Sequence, residues 1–388
     1  MRIAYVLMLF PASSETFARR DIDALRSLGH ELVPLSLYRV QGASWLRYWG
    51  ECLRGLLYSP GPVAVFQLLV RLLFSPGWRP LERLKCIALL PAAARVAGEL
   101  SRVQPDVVHL FWGHYPALVT LLVRPLLPHS RFSLFLGAYD LELSLPVSRW
   151  AAELSEVCFT HAHVNIPRVK ALVGGRNVHV IHVIHRGIEL SGYPSADALR
   201  FSRRPRRIFT AGRLIPAKGF DKVIHQFADV VNQYPEAELV IAGAGPDLQR
   251  LGTLVQSLGL SGRVSFPGWL SEAEVREQLL SSRVFVLLSS KPGERLPNVV
   301  KEAMAAGCVA IASHSPGIDE LIQHGVDGFI FDLDDGEAIQ AAIGYGFANG
   351  QAASVSRAAA IKIRDAFDVE HAARRYADCW SKLIEYDC

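Results

Sequence analysis

The chain has 388 residues, half of them hydrophobic, enough for two domains that each bury a core. No low-complexity tract argues for long disorder, and no dense Lys/Arg run with interleaved aromatics argues for nucleic acid as a partner. The net charge of +4 is uneven: residues 1–190 hold 20 basic against 13 acidic side chains, and the remainder hold 21 against 24. That basic first half suits either an anionic membrane face or scattered solvated charge.

In chain order, the opening MRIAYVLMLFPASSE has an apolar core of about eight residues and no small-x-small cleavage pattern, which favours a buried strand, Arg2–Leu9, over a signal peptide. A helix around Phe17–Leu28 follows, and Gly29 ends it. With the strand Glu31–Leu37 this makes a β-α-β unit. The region 45–97 is very apolar and helical, and Arg, Trp and Tyr punctuate it. It suits interfacial helices with snorkelling arginines, or core helices with an arginine edge. No run of 18 apolar residues occurs, so no spanning helix is expected. Further strands are expected at Asp106–Leu110 and Phe132–Leu136. Six scattered cysteines without a C-x-x-C pair indicate neither a zinc site nor a disulfide framework, and fit a reducing cytosol.

The segment Glu189–Arg207, with Gly192, Pro194, Pro205 and clustered arginines, reads as an interdomain linker. A second series then begins. Strands are expected at Arg207–Thr210, Glu238–Ala242, Val264–Phe266, Val284–Leu288 and Val309–Ala312, with helices near 221–233, 246–258, 271–281, 298–306 and 316–323. The stretch 367–388 reads as a closing helix that packs back on the first domain. The fold class is therefore α/β: two doubly wound parallel-sheet domains, 1–190 and 191–366, with ligands beyond the carboxyl ends of the strands and a cleft expected between the domains.

Two segments carry charge where a strand ends. In AGRLIPAKGFD, Arg213 and Lys218 emerge five residues apart before a helix. Two cations there suit a diphosphate, although loop cations are often merely solvated. In SSKPGERLPNVVKEAMAAG, Pro297 and Asn298 suit a helix start and Gly307 its end. Glu294 then precedes the helix and Glu302 lies on it. The helix amides of Asn298 and Val299 favour a phosphate, and the two carboxylates suit vicinal sugar hydroxyls. The plainer reading makes Glu302 a helix-face residue.

Together, GRL-x3-KG and, about 75 residues on, E-x7-E leading into EAMAAG resemble the large retaining glycosyltransferase family 4, of GT-B fold. LVIAGAGP, VSFPGWL and SPGIDELIQHGVDGFI follow that family's order. FPASSETFARR and PDVVHLFWG resemble its exopolysaccharide and lipopolysaccharide biosynthesis subgroup. The resemblance implies that Arg213 and Lys218 hold the donor diphosphate, Glu302 the ribose and Glu294 the transferred sugar. The amides of Asn298 and Val299 would meet the distal phosphate, Gly243 would form the glycine turn, and Trp269 or Leu270 would lie near the base. Ser14, Glu15 and Thr16 would face the cleft on the acceptor side. Where the family often has His-Gly before an aromatic-Asp pair, this chain reads LGAYD, so Gly137 replaces the histidine while Asp140 remains. His114, in WGHYP, either substitutes for it or is a surface histidine.

The resemblance further implies a metal-independent hexosyltransferase, with a nucleoside diphosphate sugar (UDP or GDP) as co-substrate and no other cofactor. The acceptor would be a glycan or lipid-linked glycan. Front-face attack would retain configuration, with domain closure over the donor. The expected location is cytoplasmic, either free or peripheral on the inner face of the cytoplasmic membrane. Competing readings are a sugar-nucleotide epimerase or hydrolase, a catalytically weak homologue that binds a partner, and a dinucleotide enzyme. The last lacks the third glycine of G-x-G-x-x-G after Gly243 and Gly245.

Overall fold

A computed structural model describes residues 1–10, 16–38, 44–58, 60–174, 180–291 and 293–385. The chain divides into two compact units: Met1–Arg186, which regains the chain from Val369 onward, and Gly187–Asp368. The first contains β1 (Arg2–Leu7), β2 (Glu31–Ser36), β3 (Val107–Leu110), β4 (Arg131–Phe135), β5 (Val157–Thr160) and β6 (Val180–Val183). These form one parallel sheet in the order β2-β1-β3-β4-β5-β6. Its helices are α1 (Thr16–Ser27), α2 (Trp45–Leu57), α3 (Pro62–Phe74), α4 (Pro80–Ala88), α5 (Leu90–Val103), α6 (Leu118–Val123), α7 (Ala138–Leu143), α8 (Pro146–Leu154) and α9 (Ile166–Val173).

The second unit contains β7 (Arg207–Ala211), β8 (Glu238–Ala242), β9 (Val264–Gly268), β10 (Val284–Leu287), β11 (Val309–Ser313) and β12 (Phe329–Phe331). They form a parallel sheet in the order β12-β11-β10-β7-β8-β9. Its helices are α10 (Phe220–Gln233), α11 (Leu248–Ser257), α12 (Glu272–Leu280), α13 (Asn298–Ala305), α14 (Ile318–Leu321), α15 (Gly336–Phe347) and α16 (Gln351–Ala366). The last helix, α17 (Val369–Glu385), belongs to the first unit.

A strand covered on both faces needs a continuous apolar run, and β3, β5 and β10 (VVHL, VCFT, VFVL) are buried at every position. In β1 the alternation of Cβ directions sends Ile3, Tyr5 and Leu7 into the core under α1 and α17, and Ala4 and Val6 into the core under α3, α5, α6 and α8. α17 is tied to the sheet by a polar bond: Trp380 Nε1–H donates to Ser133 Oγ at 3.0 Å, and His109 Nδ1 lies 2.9 Å from the same oxygen. Burial pushes the His109 imidazole down to about 3.

Three strands, β5, β6 and β12, go beyond the expected set, as do the helices α6, α7, α8, α9, α15 and α16. β5, β6 and β12 are short, at four, four and three residues. α15 (GEAIQAAIGYGF) spreads three glycines and apolar residues around the helix, so no polar face marks it.

Candidate active site

In the second unit, successive connections run one way from β7 through β8 to β9 and the other way from β10 to β12. The reversal between β7 and β10 is the switch point at which doubly wound sheets bind ligands. Arg213 and Lys218 follow β7, and Glu294 follows β10, so the basic loop and the acidic loop flank that point.

Backbone contacts hold the loop after β7 in place. Gly212 N–H donates to Ala242 O and Leu214 N–H to Ala244 O, both at 3.0 Å, and Asp247 N–H donates to Leu214 O at 3.1 Å. This approach leaves no room for a side chain at Gly243 or Gly245 of the β8 loop. A Cβ on Gly243 would lie 1.8 Å from Gly212 O, and Gly243 has φ +139°. On the other flank, Ser290 N–H and Ser289 Oγ–H donate to Ala217 O at 2.9 and 3.1 Å. Gly219, at φ +67°, passes so close to Leu288 O that a Cβ would lie 1.9 Å from it. Glycine is thus required on both sides of the basic loop.

Lys218 Nζ–H donates to Glu294 Oε1, and both side chains are mostly buried, at 13% and 12% exposed. The second carboxylate oxygen, Oε2, is buried and accepts no hydrogen bond among the described residues. A buried oxygen without a donor costs about 1–3 kcal/mol, and such a group calls for an explanation. Two residues on, Leu296 is buried and has φ +48°, a left-handed conformation costly for a branched side chain. The acidic loop therefore combines local strain with an unmet acceptor, a pairing typical of ligand sites. Arg213 is exposed, and its side chain has no partner among the described residues.

α13 begins at Asn298 with Pro297 as its cap. Val300 N–H and Lys301 N–H both turn back to Pro297 O, at 3.1 and 3.3 Å. The preceding amides, of Asn298 and Val299, have no backbone acceptor among the described residues and form the donor end of the helix. Lys301 is buried, with Nζ 3.1 Å from Asn298 Oδ1, and so fixes the first residue of the helix from beneath. Glu302 lies one turn along, half-buried and with partners of its own. At the sheet edge Gly243 N–H donates to Gly268 O at 2.7 Å. Next to Gly268, Trp269 is 75% exposed and Leu270 is half-buried.

In the first unit the order reverses between β1 and β3. The loop after β3 carries His114, and the start of α7, after β4, carries Asp140. His114 Nδ1 lies 2.8 Å from Asp140 Oδ1, and Asp140 Oδ2 accepts from Gly137 N–H at 2.8 Å. His114 is not a surface residue: it is 6% exposed, and its ring packs on Trp112, Tyr115 and Tyr139. Because a carboxylate only accepts, Nδ1 carries the proton and Nε2 is the nitrogen left for other chemistry. Asp140 itself is fully buried and can act only through His114. Gly137 has an ordinary φ of −87°, and a Cβ there would meet its nearest neighbour, Phe135 Cε1, at 3.3 Å. Ser14 and Glu15 lie outside the described residues, as does the Thr16 side chain.

Two features escape sequence reading. The Arg186 guanidinium lies 4.3–5.4 Å from the ring centres of Phe17, Phe111, Trp112 and Phe135, a cation–π cluster assembled from four separate stretches. Next to His114, Tyr115 O–H donates to Glu82 on α4. Burial and then Glu82 push the Tyr115 phenol up, while Tyr115 and then Lys85 hold the Glu82 carboxyl below its usual range.

A parallel twin-sheet chain whose second sheet brings a basic and an acidic loop to its switch point has the make-up of a GT-B glycosyltransferase. Comparison with known proteins agrees: the family profile for glycosyl transferases group 1 matches residues 196–362, and the fold of the chain is that of the GT-B glycosyltransferases. It is 24% identical over 372 residues to the putative colanic acid biosynthesis glycosyltransferase WcaL of Salmonella typhimurium, covering 88% of this chain and 89% of that one. It is 33% identical to the lipopolysaccharide core biosynthesis glycosyltransferase LpsE of Rhizobium meliloti over 35% of this chain and 38% of that protein. Its fold matches that of Anabaena HepE, solved in complex with UDP-glucose, with a TM-score of 0.67 over 98% of this chain and all of that one, at 18% identity.

Proposed function

We propose that the protein is a retaining hexosyltransferase. It moves a sugar from a UDP- or GDP-linked donor to a glycan or lipid-linked glycan during cell-surface polysaccharide assembly, and works peripherally at the inner face of the cytoplasmic membrane. The observation that carries this reading is the Lys218–Glu294 pair across the switch point, with Glu294 Oε2 buried and unmet. A hexose hydroxyl is the donor that this oxygen lacks, and a diphosphate is the anion that Lys218 and Arg213 can share. The similarity to WcaL and LpsE supports a polysaccharide acceptor, and the likeness to a UDP-glucose-bound fold supports a nucleotide-sugar donor.

In the transfer, the acceptor oxygen forms a bond to the anomeric carbon on the face that the leaving diphosphate vacates. The C1–O bond to the phosphate breaks, and the acceptor's proton passes to a phosphate oxygen. The protein's contribution is positioning and charge. Arg213, Lys218 and the amides of Asn298 and Val299 stabilise the charge that develops on the diphosphate. Glu294 orients the hexose, Glu302 holds the ribose, Gly243 keeps the turn open, and Trp269 and Leu270 border the base. On the acceptor side, His114 acts as the contacting residue and Asp140 as its positioning residue. No step requires a metal.

The test is thermal stability with UDP, GDP and ADP, for the wild type and for Arg213→Ala/Lys218→Ala. Ligand at about 100 times its Kd adds roughly 2.7 kcal/mol. One nucleotide should stabilise the wild type and leave the variant unmoved. Stabilisation by none, or equally of both proteins, would overturn the donor assignment.

A further inference from the structure

Fourteen of the twenty large apolar side chains exposed among the described residues lie between Tyr38 and Leu84, about an eighth of the chain. They are ordered. On α2, Leu46, Trp49, Leu53 and Leu57 recur at three- and four-residue spacing and are 52–89% exposed, while Cys52 and Gly55 face the core. Gly55 sits so close to Ala94 that a Cβ would lie 2.5 Å from its carbonyl carbon, so α2 is seated firmly on α5 and its outward stripe has a fixed direction. On α3, Val63, Phe66, Val70 and Phe74 repeat the pattern, with Leu68 and Leu72 inward. On α4, Leu81 and Leu84 do the same. Each helix is thus apolar towards both the core and the outside, which a helix facing water is not.

We infer that this face docks onto an anionic lipid bilayer as an interfacial platform, an inference that rests on the membrane-side reading of function above and specifies its surface. Three observations select that occupant. Exposed contiguous apolar surface marks an interaction site, and here Trp45, Trp49 and Tyr58 border it, the residues that settle at the headgroup level. The rim is cationic: residues 44–90 hold Arg47, Arg54, Arg71, Arg79, Arg83 and Lys85 against Glu51 and Glu82. Both acids are already engaged, Glu51 with Arg47 and Glu82 with Lys85 and Tyr115. A symmetric contact with a second copy would set that rim against itself, whereas anionic headgroups complement it.

The helices lie on the membrane rather than cross it. α2 and α3 have 13 residues each, about 20 Å at 1.5 Å per residue against roughly 30 Å of hydrocarbon, and they meet at 90°. The platform also connects to the acceptor side: Glu82 on α4 holds Tyr115, the neighbour of His114. A lipid-linked substrate anchored in the same leaflet would thus meet a loop braced by the docking helices.

The experiment is flotation of the full-length protein with vesicles of phosphatidylcholine alone, and with about a third phosphatidylglycerol. The variants are Trp49→Ser/Phe66→Ser/Phe74→Ser and Arg47→Gln/Arg54→Gln. Wild type should float with the anionic vesicles, bind the neutral ones at least about tenfold more weakly, and dissociate as salt rises. The serine variant should lose about 100-fold or more in binding, and the glutamine variant about tenfold. Nucleotide-induced thermal stabilisation should be equal in all three, which shows that the variants fold and keeps this result separate from the donor reading. Wild type that ignores anionic vesicles, or a serine variant that binds like wild type, would overturn the inference. So would a wild-type dimer in sedimentation velocity that the serine changes dissolve while vesicles go unbound.

Discussion

The carboxyl ends of the two sheets are built from different materials. In the second unit the loops are built from backbone: glycines at 219 and 243 let chain approach chain within van der Waals limits, and a few charges stand on that frame. In the first unit the corresponding loops are built from side chains: a buried His114–Asp140 pair, four aromatic rings around Arg186, and a phenol–carboxylate bond to α4. A nucleoside diphosphate is the same chemical group for every enzyme that uses it, and backbone amides with fixed cations suffice to hold it. Acceptors differ in shape, and shape is read by side chains.

That contrast can be pressed at four points. The largest effect should come from the ion pair at the switch point. Lys218→Ala should lower kcat/KM by about 10²–10³-fold, near 3–4 kcal/mol, through lost charge stabilisation; steady-state kinetics with the stabilising nucleotide's hexose conjugate measures it. Next, if the second unit's loops are held by backbone, Gly243→Ala should cost roughly 2–4 kcal/mol of stability in denaturant titration and abolish nucleotide binding. Gly137→Ala, at ordinary φ and with its nearest neighbour at 3.3 Å, should cost less than about 1 kcal/mol. Equal costs would dissolve the contrast.

Third, His114→Asn and Asp140→Asn should each reduce turnover by about 10- to 100-fold while leaving the nucleotide Kd unchanged, since both lie in the first unit. A loss of nucleotide affinity in either would argue against the division of labour. The fourth point lies apart from both loop clusters, in the titration of the sheet. His109 ordinarily titrates near 6.5 and is held at about 3 in the fold, so between those values the unfolded chain binds the extra proton. Stability should be full above pH 6.5 and fall as pH drops towards 3, with a limiting slope of about 1.4 kcal/mol per pH unit from this group. His109→Phe should flatten that part of the acid-unfolding curve.

Most of the second unit was legible in the sequence because its signals are local. Arg213 and Lys218 stand beside the strand that presents them, and after Glu238 β8 is an apolar run that ends in a glycine turn. The acidic loop was legible as two glutamates around a helix start. Its contact with Lys218 joins residues 76 apart, and only the fold sets that distance. The first unit yielded less. His114 and Asp140 are 26 residues apart in unrelated loops, and neither segment carries a spacing that pairs them. Arg186 follows a stretch in which His182 and His185 interrupt apolar residues, and its four rings come from Phe17, Phe111, Trp112 and Phe135. Sites made of side chains from many elements leave no periodic trace, whereas sites made at one strand end do.

The most direct test compares Kd for the bare nucleoside diphosphate with Kd for its hexose conjugate, in wild type and in Glu294→Gln, by calorimetric titration. If Glu294 Oε2 awaits a sugar hydroxyl, the substitution should weaken the hexose conjugate by about tenfold or more and leave the nucleotide within about twofold. Equal losses for both ligands, or none for either, would contradict the assignment of Glu294 to the transferred sugar.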